Sequence, residues 1–368
     1  MDMKRYILFI VVFINYKFAL SQLISVSINQ DNEQIKARLK FIRSYFNDKS
    51  DIRKYWLPRG DATDQYNYST LVDGISRYYA PWQMLKYFQV EITELQILND
   101  SLSYYKFILS NKKDKHIVEY KYYIVKRDGV FYIDNCMHYE KRKFVHVNTP
   151  LIDYFISSWL KYDTVQLMNA SKKLDSLSKL LVPKKTPTKI VSFICASTEE
   201  MNLLTNMTHY YGYVGGFTHL DCQFIVSHNA PPDYIHEFIH VILGETSGNS
   251  FILGEGIASY FGGPSYNFNY SDALLYLKDC FESGRCTFDL LLQKKIFNPR
   301  DNYPTYSFAA VLCDYIINAY GYNYFYSLYN NKEISDDNLI EKICKDHNIA
   351  RELIEQRVIN KIMKQAHE

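Results

Sequence analysis

The sequence predicts an α+β protein in two parts. An N-terminal helix-plus-antiparallel-sheet domain occupies residues 22–150, and a mostly helical domain with a small sheet occupies 151–368. Three observations carry this reading. Between Val90 and Ile133 several short runs rich in Tyr, Phe, Val and Ile follow one another, and Arg127-Asp128-Gly129 joins the last two as a hairpin turn. After Pro264 one helical pattern follows another. Between these regions Tyr234–Leu243 is apolar except for His236, Glu237 and His240, the pattern of a buried helix with three polar groups in it.

The first 21 residues read as a secretory signal. Lys4 and Arg5 are the basic start, Tyr6–Ile14 the apolar run, and Ala19-Leu20-Ser21 a small-x-small site before Gln22. The run is short for a bilayer span and is interrupted by Asn15 and Lys17. Cleavage after Ser21 is expected, giving a secreted or periplasmic chain with no stable membrane insertion; an uncleaved anchor is the alternative. Net charge is +2, which gives no footprint for a nucleic-acid partner. The seven Cys are odd in number and contain no C-x-x-C pair, so a disulfide framework is not implied. Cys280 and Cys286 are the one close pair and allow a single bridge.

In the first domain, Asp31–Phe46 has helical spacing, with Ile35, Leu39, Ile42 and Phe46 on one stripe. Leu71–Phe88 mixes a helical pattern with Pro81. Strands are expected at Val90–Leu98, Leu102–Leu109, His116–Lys126 and Val130–Ile133, with Tyr120, Tyr122 and Ile124 on one face. A helix followed by a curved antiparallel meander resembles the NTF2-like or cystatin-like cone. No catalytic constellation is found here, and His116, His138 and His146 read as surface or core residues. Leu151–Leu181 reads as helical, with Ile152, Phe155, Ile156, Trp159 and Leu160 as its first stripe. Pro183–Pro187 breaks the chain. Lys189–Ala196 is a buried strand, Thr198–Met207 a helix, and Tyr210–Ser227 a strand pair containing Gly215-Gly216.

The chemistry concentrates at Pro231–Val241. Pro231-Pro232 break what precedes, Asp233 is the expected N-cap, and Gly244 the expected stop. Residues four apart share a helix face, so His236 and His240 can point at one metal ion, with Glu237 beside the first. Two imidazoles, a third protein ligand, an open position and a carboxylate base make a zinc-hydrolase arrangement. The stretch Gly254-Glu255-Gly256-Ile257-Ala258-Ser259-Tyr260-Phe261 then follows, and with it the sequence resembles the gluzincin metallopeptidases of the peptidase-MA-like branch. The resemblance implies Glu255 as third ligand to one Zn²⁺ per chain and Glu237 as general base. It also implies a peptide or protein substrate paired along the edge strand before the metal helix. Gly256 and Ala258 are expected to let the two helices approach.

The G-x-M-E-N motif of the clan's aminopeptidases is absent, which favours an endopeptidase. Tyr303–Ala310 resembles the helix after the site in this branch. Tyr306 there is the candidate donor to the oxyanion, and Tyr303 the runner-up. Glu245, Asp221 and Asn249 are candidates to orient the imidazoles. Helices are expected at Ser271–Glu282, Thr287–Lys294, Tyr306–Ala319, Asn323–Tyr329, Asp337–Cys344 and Ala350–Lys364. Two other readings compete: a non-catalytic protein of gluzincin fold whose N-terminal domain binds the ligand or partner, and a purely structural zinc site. Neither needs the intact Glu237.

Overall fold

A computed structural model of the chain describes residues 24–50, 52–58, 81–110, 118–182, 189–210, 215–219, 224–244, 250–265, 267–294 and 303–365. The signal segment, the 183–187 break, Asp221, Glu245, Asn249, His116 and the first part of Leu71–Phe88 lie outside them, as does the side chain of Tyr303. The fold is mixed α+β, a sheet region first and a mostly helical part after it. Among the described residues no helix is long and apolar enough to cross a membrane. The chain separates into two compact units, Met1–Phe144 with Ser197–Gly212, and Val145–Ala196 with Tyr213–Glu368. The segment around residue 200, expected to belong with the helical part, therefore groups with the first unit.

In the first unit β1 (Ile24–Val26) precedes helix α1 (Glu33–Asn47). Asn32 caps α1, its side chain accepting from Gln34 N–H at 2.8 Å. Leu39, Ile42, Tyr45 and Phe46 form the buried stripe, worth about 1.5–3 kcal/mol per fully buried side chain before ordering costs. After α2 (Pro81–Tyr87) come β2 (Gln89–Asn99), β3 (Leu102–Ser110), β4 (Val118–Arg127) and β5 (Val130–Asp134), paired in that order and antiparallel. Asp128 and Gly129 both have positive φ, 51° and 81°, the requirement of a type I′ hairpin. Val90, Ile92, Tyr105, Phe107, Tyr120, Tyr122 and Ile124 join the α1 stripe in one core. Short α3 (Met137–Glu140) follows.

The second unit's sheet has the order β10-β11-β8-β7-β6. Its members are β6 (Phe144–Asn148), β7 (Ile152–Ser157), β8 (Ile190–Cys195), β10 (Gly216–His219) and β11 (Phe224–His228). Strands β7, β8 and β11 are parallel and β10 runs antiparallel at the edge. The first part of the helix expected over Leu151–Leu181 is thus a strand, Ile152–Ser157. Ile152, Tyr154 and Ile156 are buried in alternation, and a run this short fits either period. Helix α4 (Thr164–Leu181) begins later, under a capping box of Asp163 and Gln166. The intervening α5 (Thr198–Leu204) and β9 (Met207–Tyr210) belong to the first unit, where β9 pairs with β4.

The remaining helices are α6 (Ile235–Leu243), α7 (Phe251–Gly262), α8 (Tyr270–Glu282), α9 (Phe288–Leu292), α10 (Tyr303–Tyr320), α11 (Tyr322–Tyr329), α12 (Asp336–His347) and α13 (Arg351–Gln365). Each expected helix after Pro264 is present within a few residues. Cys280 and Cys286, at the end of α8, are disulfide-bonded. Phe238, Ile239, Ile242 and Leu243 of α6 share one core with Leu167, Ala170 and Leu174 of α4 and Ile252, Leu253 and Ile257 of α7.

Candidate metal centre

Helix α6 is held at both ends. The turn entering it is fixed by Tyr154 Oη, donating to Pro232 O at 2.9 Å, and Tyr162 Oη, donating to Ala230 O at 2.8 Å. Asp233 does not cap it. The helix starts one residue later, with Tyr234 in the cap position and its carbonyl accepting from Phe238 N–H. Asp233 instead lies 2.8 Å from Lys173 Nζ of α4. At the other end Gly244, with φ 73°, stops the helix as its sequence predicts, and Tyr329 Oη donates to its carbonyl at 3.0 Å.

Helix α7 brings Glu255 to α6. Ser250 caps it, accepting from Leu253 N–H at 3.2 Å and donating to Asp336 Oδ1 at 2.8 Å. The same Asp336 oxygen accepts from Ile252 N–H at 3.0 Å, so a carboxylate sits where the helix dipole is positive. The close approach of α6 and α7 depends on Gly262. A Cβ there would fall 2.3 Å from His236 N and 2.7 Å from its Cα. Gly256, expected to serve this contact, faces elsewhere. Its missing Cβ leaves room for Ala309 O and Cys313 Sγ of α10.

His236, His240 and Glu255 come together. Glu255 Oε2 lies 3.2 Å from His236 Nε2 and 3.4 Å from His240 Nε2. The three ligand atoms lie within 4.8 Å of one another. These separations are those of a hydrogen-bonded imidazole–carboxylate cluster, and ligands at about 2.0–2.1 Å from a tetrahedral zinc would stand a similar distance, roughly 3.3 Å, apart. His236 Nδ1 lies 3.0 Å from Gly263 O, which takes its N–H and leaves the bare Nε2 facing Glu255. That acceptor is a backbone carbonyl with no signature in sequence.

The charges fit a cation site. Burial opposes the charged form of His240, but the carboxylates of Glu255 and Glu237 push its pKa up to about 9. Burial likewise opposes the charge on Glu255, and the two imidazoles hold its carboxyl well below the usual range. His236 and Glu237 are both 5% exposed. Glu237 points toward β10, where Thr218 Oγ1 donates to its Oε2; Thr218 Oγ1 also lies 3.3 Å from Glu237 O. Tyr306, on α10, has its ring 6.2 Å from that of His236 and 5.2 Å from Phe251. Burial first, then the charges of Glu255 and Glu237, raise its phenol pKa, so it keeps its proton and stays a donor.

Strand β10 borders the site. His228 N–H donates to Gly215 O at 2.9 Å. With Gly216 opposite Ser227 and Phe217 opposite Val226, the hydrogen-bonded pairs fall at Gly215, Phe217 and His219. Gly216 and Thr218 therefore turn their N–H and C=O groups to the outer edge, where no strand lies among the described residues. The two histidines, the two glutamates and Tyr306 stand out in the sequence by motif and context, and the structure brings His236, His240 and Glu255 together. Thr218, Gly262, Gly263 and Asp336 do not stand out in the sequence, because only the fold sets Thr218, Gly262 and Gly263 against α6 and Asp336 against the start of α7. Comparison of the chain with protein-family models, with curated proteins and with solved structures finds no match.

Proposed function

We propose that this chain is an exported zinc metallopeptidase that hydrolyses internal peptide bonds. The observation that carries the reading is the convergence of His236 Nε2, His240 Nε2 and Glu255 Oε2 within 4.8 Å of one another, with the Glu237 carboxylate on the residue after His236 in the same helix. In this reading His236, His240 and Glu255 hold the zinc. When bound, zinc lowers the pKa of a water toward about 7 and polarises a carbonyl oxygen. Glu237 accepts the proton of the attacking water and returns it to the leaving amine. Tyr306, kept protonated by its surroundings, donates its O–H to the developing oxyanion. The outer edge of β10, where no strand lies among the described residues, pairs with the substrate backbone through Gly216 and Thr218, as an added strand pairs with a sheet edge. Export rests on the basic and apolar residues before Gln22.

Purified residues 22–368 are expected to contain about one zinc per chain and to cleave acetylated, amidated peptides at internal bonds. Glu237→Gln is expected to keep the zinc and to lose about 10²-fold or more in rate, the contribution of a general base. Zinc bound without cleavage of any member of a peptide library would favour a structural or binding role. Unchanged cleavage by Glu237→Gln would remove the base assignment.

A further inference from the structure

The two faces of β10 are used differently from its two edges. Gly216 and Thr218, two residues apart, share the face that meets α6. A Cβ on Gly216 would fall 2.8 Å from Tyr234 Cε1, just before that helix. Thr218 meets Glu237 itself. The same two residues send their backbone N–H and C=O groups to the outer edge.

We propose that Thr218 is a positioning residue for the base, so that one residue both pairs with the substrate backbone and aims the Glu237 carboxylate. This rests on the peptidase reading above. The threonine hydroxyl has a single proton, given to Glu237 Oε2, which leaves Oε1 free for the proton of the attacking water. A β-branched side chain has few χ1 states, so its hydroxyl is fixed relative to the strand. A substrate strand that orders the backbone of Thr218 thereby orders its hydrogen bond to the base. The Thr218 side chain touches no reacting atom and bears on the proton transfer only through Glu237.

The test compares Thr218→Val, which keeps the shape and removes the donor, with Thr218→Ser, which keeps the donor. Both are made in the full mature chain loaded with zinc and assayed on a blocked peptide. The valine variant is expected to lose about tenfold or more in kcat, the rate equivalent of a hydrogen bond to a charged group. Its KM should change little, because the backbone groups that meet the peptide remain. The serine variant should recover most of the kcat. Equal kcat in wild type and valine variant, or a serine variant as slow as valine, would overturn the proposal. A second measurement needs no activity: unfolding midpoints of Thr218→Val, Glu237→Ala, which removes the acceptor, and the double variant, all metal-free. The shift of the double variant should be smaller than the sum of the single shifts. Additive shifts would overturn the contact. A wild-type protein that cleaves no peptide would remove the peptidase reading, while the midpoints would still decide whether Thr218 holds the carboxylate.

Discussion

His240 and Glu255 face each other as an ion pair in the metal-free protein, and that pair makes stability depend on pH. The pKa of His240, pushed up to about 9, exceeds its ordinary value of 6.5, so protonation of this ring favours the folded state. Its contribution is fully present below pH 6.5 and is lost as pH rises through about 9. Glu255 is depressed, so its contribution is present above its ordinary 4.5 and is lost on acidification. The unfolding midpoint of the metal-free protein is therefore expected to fall between pH 6.5 and 9, and Glu255→Gln to flatten that fall. A midpoint independent of pH across this window in both proteins would contradict the pairing. His236, Glu237 and His240 were legible because helical spacing is written in sequence order, four residues apart and next to one another, whereas Glu255, on the following helix, was reached only through the family resemblance of the stretch around it. Thr218 was not legible. Nothing in Phe217-Thr218-His219 separates a threonine that holds a carboxylate from one that merely sits in a strand.

Whole elements meet where a glycine lets backbone approach backbone. At Gly262 the neighbour is the main chain of His236, which cannot swing aside as a flexible side chain would. Gly262→Ala must push α7 away from α6, and overpacking of this kind costs about 1–3 kcal/mol. The displacement would also draw Glu255 from the imidazoles, so zinc content is expected to fall together with the thermal midpoint. A variant that loses stability and keeps its full zinc would show that the Glu255 helix can shift without disturbing the centre. The sequence located α6 and α7 by their apolar runs, their stops and their spacing. It could not give the direction in which each glycine faces, and Gly256, read as the contact to α6, meets α10. The misread at Ile152–Ser157 has a similar origin. A six-residue run with four apolar residues fits both periods until neighbouring strands decide, and here β8 pairs along it from Ile152 to Ile156.

At the scale of the molecule the chain is not two consecutive pieces. Ser197–Gly212 leaves the second unit between β8 and β10 and completes the first. Its strand β9 pairs with the start of β4, Val118 opposite Tyr210 and Tyr120 opposite Met207. Between α5 and β9 stands Asn206, fully buried, with φ 65°. Its side chain accepts from Cys136 N–H at 2.8 Å and donates to Asn135 Oδ1. A cut near residue 150, the boundary that the change from strand to helical patterning suggested, removes all of these partners. The Cys136 N–H is then left without its acceptor, and the start of β4 becomes an unpaired edge, each a recognised cost. Residues 22–150 alone are therefore expected to melt well below the corresponding transition of the whole chain and to self-associate through the exposed edge. Calorimetry and sedimentation of that fragment beside a version carrying 197–212 on a flexible linker would decide the matter. Recovery of the midpoint in the linked version is the expected result. Equal midpoints with and without the segment would mean that the first unit is complete by residue 150 and that β9 only decorates it.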